Sequence, residues 1–140
     1  MKIEKNSIGI GDRFGLEGSA QLRALQQAEA LGVNIVPVWN KSNREHAIIG
    51  TLPEDAKRGA DLAVKTCGWH ASYYVDADHI GLGTVDKFIN SSNFFTIDIA
   101  DHIGTPAAVY SMSAFLKEMD RFGSALQIPG IDNTFAVTNE

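Results

Sequence analysis

The chain has 140 residues, with 12 Lys and Arg against 17 Asp and Glu, which gives a formal net charge of −5. A composition of 44% hydrophobic and 21% charged residues excludes a disordered or low-complexity chain. The acidic balance carries no compensating basic run, and no apolar stretch approaches the roughly 20 residues of a membrane span, so we expect neither nucleic acid nor membrane as a partner.

Short apolar runs alternate with helical patterns along the chain. The predicted strands cover residues 7–10, 34–39, 72–76 and 93–98, and the predicted helices cover residues 19–31, 53–66, 84–90 and 109–122. Strands that are apolar on both sides are typical of a parallel sheet covered by other elements. Pro37 is discordant in the second strand because proline lacks the N–H that a ladder hydrogen bond needs.

This order predicts an α/β fold with about four βα units. A complete (β/α)8 barrel takes about 250 residues, so the chain is expected to be half of a TIM-like barrel. A small doubly wound parallel sheet is the alternative. Residues 1–140 then form either a single α/β domain or the N-terminal portion of a larger barrel enzyme, with a turn-rich C-terminal tail over residues 123–140.

The N terminus lacks the apolar core of a secretory signal. Cys67 is the single cysteine, and it has no partner for an internal disulfide. Both features favour a cytoplasmic location.

Polar residues follow each predicted strand, where both architectures place their functional sites. The candidate site residues are Asp12, Arg13, Ser42, Arg44, Asp76, Asp78, His79, Asp98 and His102. Arg13 offers a bidentate contact to a carboxylate or phosphate. A salt bridge to Asp12 or Asp98 explains the same residue equally well.

The sharpest local signal is a near repeat, in which the sequence Ala-Asp-His-Ile-Gly occurs at residues 77–81 and again at residues 100–104. Neighbouring strands would then present Asp and His together, as ligands for a divalent transition metal with a carboxylate free to take a proton. Capping of the following helix is an equal alternative for Asp86 and Asp101. For Asp78 and His79 function is favoured, because a helix start needs only one cap.

With these motifs, the chain resembles the tagaturonate epimerase family. The segments that carry the resemblance are residues 9–15, 42–45, 76–79 and 94–98, followed by Asp101 and His102. It extends over about residues 7–104, and the pair formed by Asp-Ala-Asp-His and Phe-Thr-Ile-Asp is its most specific part.

The resemblance implies a barrel-like, metal-dependent epimerase that interconverts D-tagaturonate and D-fructuronate. It also implies that Asp78 is the proton acceptor and His79 a metal ligand, so a divalent transition metal is the expected cofactor and a sugar acid the expected partner. The family's enzymes are longer and carry further ligands in a C-terminal part, so either a missing C-terminal half or a homo-oligomer would complete this chain.

The inverted carbon is β to the ketone, so its C–H is not acidic enough for direct abstraction. A retro-aldol route avoids this problem, with Asp78 deprotonating the hydroxyl, the metal on His79 stabilising the enolate and Arg13 holding the uronate carboxylate.

Two other classes stay open. A glycosyltransferase-like domain would use Asp76 and Asp78 as an Asp-x-Asp metal site for a nucleotide sugar. A non-catalytic half-barrel would instead self-associate through its open strand edges.

Overall fold

The computed structural model describes residues 3–104, 106, 109–119, 125–127 and 132–136. Its helices are α1 (Gly18–Ala30), α2 (Asn43–Ile49), α3 (Pro53–Cys67) and α4 (Val109–Met119), and its strands are β1 (Ser7–Ile10), β2 (Val36–Ser42), β3 (Tyr74–Ile80), β4 (Phe94–Ile97), β5 (Ala125–Gln127) and β6 (Thr134–Ala136). Residues 3–100 form one compact unit, and the described residues from 101 onwards belong to a second. None of the described helices is long and apolar enough to cross a membrane.

The first unit is built on a parallel sheet with the strand order β1-β2-β3-β4. Each strand therefore lies beside the next strand in the chain, as in a (β/α)8 barrel, and the order never reverses as it does in a doubly wound sheet. The predicted α/β fold with consecutive parallel strands is confirmed, and the doubly wound alternative is wrong.

The helical side of the sheet holds the main core. Trp39 of β2 and Val75 of β3 are register partners, and they pack with Leu22 of α1 and with Ala60 and Ala63 of α3. Because side chains alternate along a strand, Val38 and Tyr74 lie on the opposite face, where they form a second buried cluster. The sheet thus has a helix-covered outer face and an inner face, as expected for a barrel segment.

Both long helices end where the sequence places a glycine. Gly32 follows α1 with φ +84°, and Gly68 caps α3 with φ +62°. Glycine adopts this left-handed backbone without steric cost. Pro53 begins α3, where its missing N–H is harmless. The predictions of these two helices are confirmed to within one residue at each end.

The second and third strands continue further than predicted. β2 extends to Ser42 and β3 to Ile80, so Asn40, Lys41 and residues 77–79 are strand residues rather than loop residues. Pro37 sits inside β2, opposite Ile8, and its side chain is fully buried. The strand continues through Pro37 despite the missing donor, and six of its seven residues are buried.

The predicted helix over residues 84–90 is wrong, since the structure has only a 3-10 turn at Val85–Lys87. The predicted helix over residues 109–122 is present as α4, which is described to Met119. In the tail, β5 and β6 form an antiparallel pair that the turn-rich composition did not predict. Residues 123, 124 and 128–131 lie outside the described part of the chain.

Candidate functional site

Polar side chains replace the apolar ones towards the carboxyl end of the inner face. Asn40 lies opposite Asp76 in the register of β2 and β3, and Ser42 lies opposite Asp78. These four positions are two residues apart on each strand and therefore share one face of the sheet. The change from Val38 and Tyr74 to this polar group marks where the core ends and the candidate site begins.

Asp76 is the most buried carboxyl of this group, with 5% of its surface exposed. One oxygen accepts a hydrogen bond from the Thr96 hydroxyl at 2.8 Å, and the other, Oδ1, has no partner among the described residues. Burial raises the pKa of Asp76, and the neighbouring Asp78 charge adds to that effect, while the Thr96 hydrogen bonds oppose it. A carboxyl in this setting is easier to protonate than one in water.

A β-bulge presents Asp78 and His79. The register between β3 and β4 shifts between Ala77 and Ile80, so the two intervening residues leave the regular ladder. His79 takes a left-handed backbone with φ 53°, the only described non-glycine residue to do so. Bulges re-aim side chains and occur next to active sites, and such backbone strain is typical of functional positions.

The bulge brings the two side chains into contact. The Nδ1 of His79 lies 2.8 Å from Oδ1 of Asp78, and the exposed fractions of the two side chains are 65% and 18%. The hydrogen bond to Asp78 raises the pKa of His79, as do the charges of Asp78 and Asp98, whereas Arg44 lowers it. With Nδ1 held by a carboxylate, the second ring nitrogen is the one left for a ligand.

Asp78 and His79 line an open cleft of about 420 Å³. The cleft, called the His79 cleft below, brings together five of the nine predicted site residues, and its lining includes Ser42, Arg44, Asp78, His79 and Asp98. It combines one guanidinium, one imidazole and three carboxylates, of which Glu45 is the third, at the carboxyl end of parallel strands. That set can bind an anionic polyol and move a proton.

Ser42 and Glu45 form the wall of the cleft. The Ser42 hydroxyl donates to Oε2 of Glu45 at 3.0 Å, and the Glu45 N–H donates back to the same hydroxyl at 3.2 Å. The hydrogen bond from the Ser42 N–H lowers the pKa of Glu45, although burial opposes it. This capping box starts α2 directly at the end of β2, so the hydroxyl proton of Ser42 is already engaged.

Asp12 does not line the His79 cleft, and its carboxylate organises the loop between β1 and α1 instead. Its two oxygens accept the N–H groups of Leu16 at 3.0 Å and Glu17 at 3.1 Å. Burial raises the pKa of Asp12, but these backbone hydrogen bonds and the Lys41 charge outweigh it and hold the pKa below its ordinary value. Arg13, in the same loop, is exposed and forms no ion pair within the described residues.

Lys41 binds the backbone of this loop. The sequence analysis did not identify this role. Its ammonium group donates to the carbonyl oxygens of Asp12 at 2.9 Å and Arg13 at 2.8 Å, and only 6% of the residue is exposed. Gly11 makes the approach possible, because a Cβ there would lie 2.5 Å from the carbonyl oxygen of Asn40. The predicted strand ended at residue 39, so Lys41 was read as a loop residue, and its burial, which demands partners for the cation, could not be foreseen.

The remaining predicted residues lie elsewhere. Asp98 accepts the Ala100 N–H at 2.9 Å in the turn after β4, which is a local structural role in addition to its place in the cleft. Asp101 and His102 belong to the second unit, and the His102 side chain lies outside the described part of the structure. Asp86 and Asp101 each lie inside a 3-10 turn, at Val85–Lys87 and Ala100–His102, and the residue that precedes the first of these turns is Thr84. The capping alternative for Asp86 is therefore wrong, and the structure assigns no capping hydrogen bond to Asp101 within the described residues.

The described residues supply part of a ligand set for the expected metal ion. His79 supplies one imidazole with a carboxylate on its other nitrogen, which is the usual arrangement of a ligating histidine. Within the described residues, however, no three His, Cys, Asp or Glu side chains converge to hold an ion. Stable transition-metal sites need three or four protein ligands. The cleft therefore fits a metal if His79 supplies one ligand and other residues supply the rest.

A model of the tagaturonate epimerase family matches residues 1–136 of the chain. That match extends over nearly all of the sequence, including every residue of the His79 cleft. The chain belongs to the tagaturonate epimerase family. This family assignment confirms the resemblance that the motifs indicated, and it is at odds with the glycosyltransferase-like alternative.

Solved structures support the same fold. Two structures of the fructuronate-tagaturonate epimerase UxaE from Cohnella laeviribosi superpose with a TM-score of 0.59 each, one complexed with two glycerol molecules and the other with one. Their sequences are 23% and 20% identical to this chain over 81% and 96% of its length. The chain spans 23% and 29% of those proteins. No curated protein sequence matches the chain.

Proposed function

We propose that the chain is part of an epimerase that interconverts D-tagaturonate and D-fructuronate, with the His79 cleft as its substrate site. The observation that carries this proposal is the convergence of Asp78, His79, Arg44 and Asp98 in one cleft of a chain from the tagaturonate epimerase family. The substrate belongs to the sugar acids, which carry one carboxylate and several hydroxyl groups. A cation, a base and hydrogen-bonding carboxylates are the groups that such a molecule requires.

Asp78 is the proposed proton acceptor. It removes the proton of the hydroxyl on the carbon to be inverted, and the bond from that carbon to the carbon next to the ketone breaks. The carbinol becomes an aldehyde and the bonding electrons pass to the enolate. Rotation of the aldehyde, re-formation of the carbon–carbon bond and return of the proton from Asp78 then give the epimer. His79, hydrogen-bonded to Asp78 at 2.8 Å, keeps this carboxyl oriented.

Arg44 is the proposed partner of the substrate carboxylate, because it lines the cleft and its charge acts on His79. Arg13 is a second cation for the same purpose, carried on the loop that Lys41 holds in place. Asp98 lies on the β4 side of the cleft and accepts hydrogen bonds from substrate hydroxyls. Ser42 and Asp76 contribute shape and polarity from the inner face of the sheet.

A divalent transition metal is the proposed cofactor, with His79 as the ligand that the described residues supply. Such an ion provides Lewis-acid polarisation of a substrate oxygen when bound. Donors from outside the described cleft would complete its coordination. A cytoplasmic location, which a single cysteine favours, accords with this chemistry.

The test is the conversion of D-tagaturonate, followed by NMR in the presence of Mn²⁺, Ni²⁺, Zn²⁺ or Mg²⁺. We expect D-fructuronate to form, and Asp78→Asn to lose that activity. Asp86→Asn is the matched control, because Asp86 is an exposed carboxylate outside the cleft. Undiminished conversion by Asp78→Asn would exclude this residue as the base. Absence of both conversion and substrate binding, measured by calorimetry with every metal, would exclude the proposed function.

A second candidate is a self-associating half-barrel, and the edge of β4 favours it. β1 and β4 are the outer strands of the described sheet, and Phe95 and Ile97 of β4 are 42% and 70% exposed. Open apolar edges of this kind pair with other strands. Size-exclusion chromatography with light scattering tests it, and a monomer at all concentrations would reject it.

A further inference from the structure

Asn43 lines the His79 cleft at the start of α2, directly beside Arg44 in the chain. The residue is half-buried, and its Oδ1 accepts a hydrogen bond from Nζ of Lys87 at 3.2 Å. Lys87 ends the 3-10 turn that follows Thr84, which also lines the cleft. The contact therefore ties the connection between β3 and β4 to the first turn of α2 at the edge of the cleft.

The contact with Lys87 decides which way the Asn43 amide faces. An ammonium group can only donate hydrogen bonds, so the amide atom that meets it is the carbonyl oxygen. This chemistry settles the assignment of oxygen and nitrogen, which the shape of an amide leaves open. Nδ2 stands at the other corner of the planar amide, and no hydrogen bond among the described residues uses its two protons. A ligand in the cleft can therefore accept from Nδ2 in place of solvent.

The hydroxyl donors of the cleft are already engaged within the protein. The Ser42 hydroxyl donates to Oε2 of Glu45 at 3.0 Å, and the Thr84 hydroxyl donates to the carbonyl oxygen of Gly81 at 3.2 Å. Each of these groups would have to break its hydrogen bond before it could donate to a substrate, which costs free energy. Among the described lining residues, Asn43 is thus the uncharged donor that a substrate oxygen can use at the least cost.

The proposed substrate needs three kinds of contact from this lining. Its carboxylate matches the guanidinium of Arg44, and its hydroxyl groups can donate to the carboxylates of Asp78 and Asp98. Its ketone oxygen only accepts hydrogen bonds and therefore needs a donor. With the Nδ1–H of neutral His79 directed to Asp78, the second ring nitrogen of His79 carries no proton. The Asn43 amide is therefore the group that matches the ketone.

We propose that Nδ2 of Asn43 donates a hydrogen bond to the ketone oxygen of the keto-uronate, and that Lys87 is a positioning residue that holds the amide in this orientation. The inference rests on the proposed function, because the ketone belongs to its substrate. The same oxygen takes up negative charge when the carbon–carbon bond breaks and the enolate forms, and fixed amide donors stabilise such an oxygen. Asn43 then distinguishes a keto-uronate from a sugar acid that has no ketone.

The experiment follows two side-chain signals of the ¹⁵N-labelled chain by NMR. The titrants are D-tagaturonate and D-gluconate, a sugar acid without a ketone, each in the presence and in the absence of Zn²⁺. The Asn43 amide signal is assigned by its absence in Asn43→Ala, and the Arg44 Nε signal by its absence in Arg44→Lys. We expect D-tagaturonate to shift both signals saturably, and D-gluconate to shift the Arg44 signal with a much smaller change at Asn43.

Asn43→Ala should weaken the binding of D-tagaturonate about 3- to 10-fold in calorimetry, which is the range of one hydrogen bond. It should leave the binding of D-gluconate unchanged. Asn90→Ala is the matched control, because Asn90 is exposed and lies outside the His79 cleft. Circular dichroism shows whether both variants are folded.

Lys87→Met frees the Asn43 amide to turn, so we expect part of the same loss for D-tagaturonate and none for D-gluconate. Lys87→Arg should restore the affinity, since a guanidinium group also only donates. Lys65→Met, at an exposed position on α3, is the control with the same change in charge. Equal weakening of the two ligands by Lys87→Met would mean a general charge effect and would exclude Lys87 as a positioning residue.

The outcomes separate this inference from the proposed function. Three results would overturn the inference and leave the proposed function standing. They are a saturable shift of Arg44 without one of Asn43, equal shifts of Asn43 by the two acids, and equal weakening of both acids by Asn43→Ala. Absence of any saturable shift with D-tagaturonate would overturn the inference together with substrate binding in the His79 cleft.

Discussion

At the carboxyl end of the sheet, the two faces hold their polar groups in different ways. On the inner face, Asp78 and His79 contact mainly each other and stand at an open cleft. On the helical face, Lys41 is almost fully buried, and its two hydrogen bonds fix the loop that carries Asp12 and Arg13. Lys41 and Ser42 are adjacent in β2, so the alternation of a single strand separates these two environments.

The difference separates groups that are free to react from groups that hold the backbone. A side chain that acts on a substrate must keep hydrogen-bonding capacity, as His79 does with its second ring nitrogen. A side chain that supports the site spends its hydrogen bonds on the backbone, as the Asp12 carboxylate does with each of its two oxygens. Substitutions on the inner face should therefore change activity more than stability, and those on the helical face should do the opposite.

The largest expected effect is that of Asp78→Asn on turnover. Loss of a general base typically costs about 10²–10⁴-fold in rate, and the amide fills nearly the same volume as the carboxyl. We expect the rate of tagaturonate conversion to fall in this range, while the urea midpoint stays close to that of the original chain. A large loss of stability with unchanged turnover would show that Asp78 supports the backbone and does not act on the substrate.

Lys41→Met should have the opposite signature. It removes two charge-assisted hydrogen bonds to the loop and leaves the carbonyl oxygens of Asp12 and Arg13 without their donor, so we expect a loss of about 2 kcal/mol in the free energy of unfolding. Urea denaturation measures this loss, and Lys65→Met, at an exposed position on α3, is the control with the same change in charge. Equal midpoints for the two variants would show that the loop does not need Lys41.

Ser42→Ala tests the capping box of Ser42 and Glu45 that forms the wall of the His79 cleft. It removes the side chain that caps α2, and such changes typically cost about 1 kcal/mol. Thr66→Ala, on the exposed side of α3, is the control and should be near neutral. If the urea midpoints of the two variants agreed, the capping box would contribute nothing to the stability of this wall.

The smallest effects are expected for Asp12→Asn and Asp76→Asn, which remove the same charge on opposite faces. The pKa of Asp12 is lowered, so its contribution to stability is present above its unfolded pKa and lost as pH falls through the folded value. The pKa of Asp76 is raised, so its contribution is present below its unfolded pKa and lost as pH rises through the folded value.

At pH 7 we therefore expect Asp12→Asn to lower the urea midpoint and Asp76→Asn to raise it. Both differences should shrink near pH 3, as the two carboxyls become protonated. Denaturation curves at several pH values measure this, and the same sign for both variants at pH 7 would contradict the stated environments.

The sequence predicted the parts of the fold that depend on local signals. Leu22 and Leu25 lie at helical spacing in α1, and Gly68 marks the end of α3, because helix periodicity and caps are read within a few residues. The end of β3 was missed, because polar residues on the inner face of a barrel segment look like loop residues until the partner strands are known. Residues 84–90 have helical spacing, but they form a single 3-10 turn, and Phe88 packs with Ala77 and Ile80.

The candidate site was predicted unevenly for the same reason. Asp78 and His79 could be found because their motif is short and repeated. Lys41 was missed, because its role depends on a loop about 28 residues earlier in the chain. The helix α2 was also missed, although Ser42 and Glu45 are a sequence signature of a capping box.

The direct passage from β2 into α2 also has a dynamic consequence. Ser42 is both the last residue of the strand and the cap of the helix, so no linker residue stands between the two elements. Backbone rotation at this point would break both the strand pairing with Asp78 and the hydrogen bonds with Glu45. We therefore expect the segment that carries Arg44 to move with the sheet as one body. Amide hydrogen exchange at Glu45 should accordingly be as slow as in the adjoining strand.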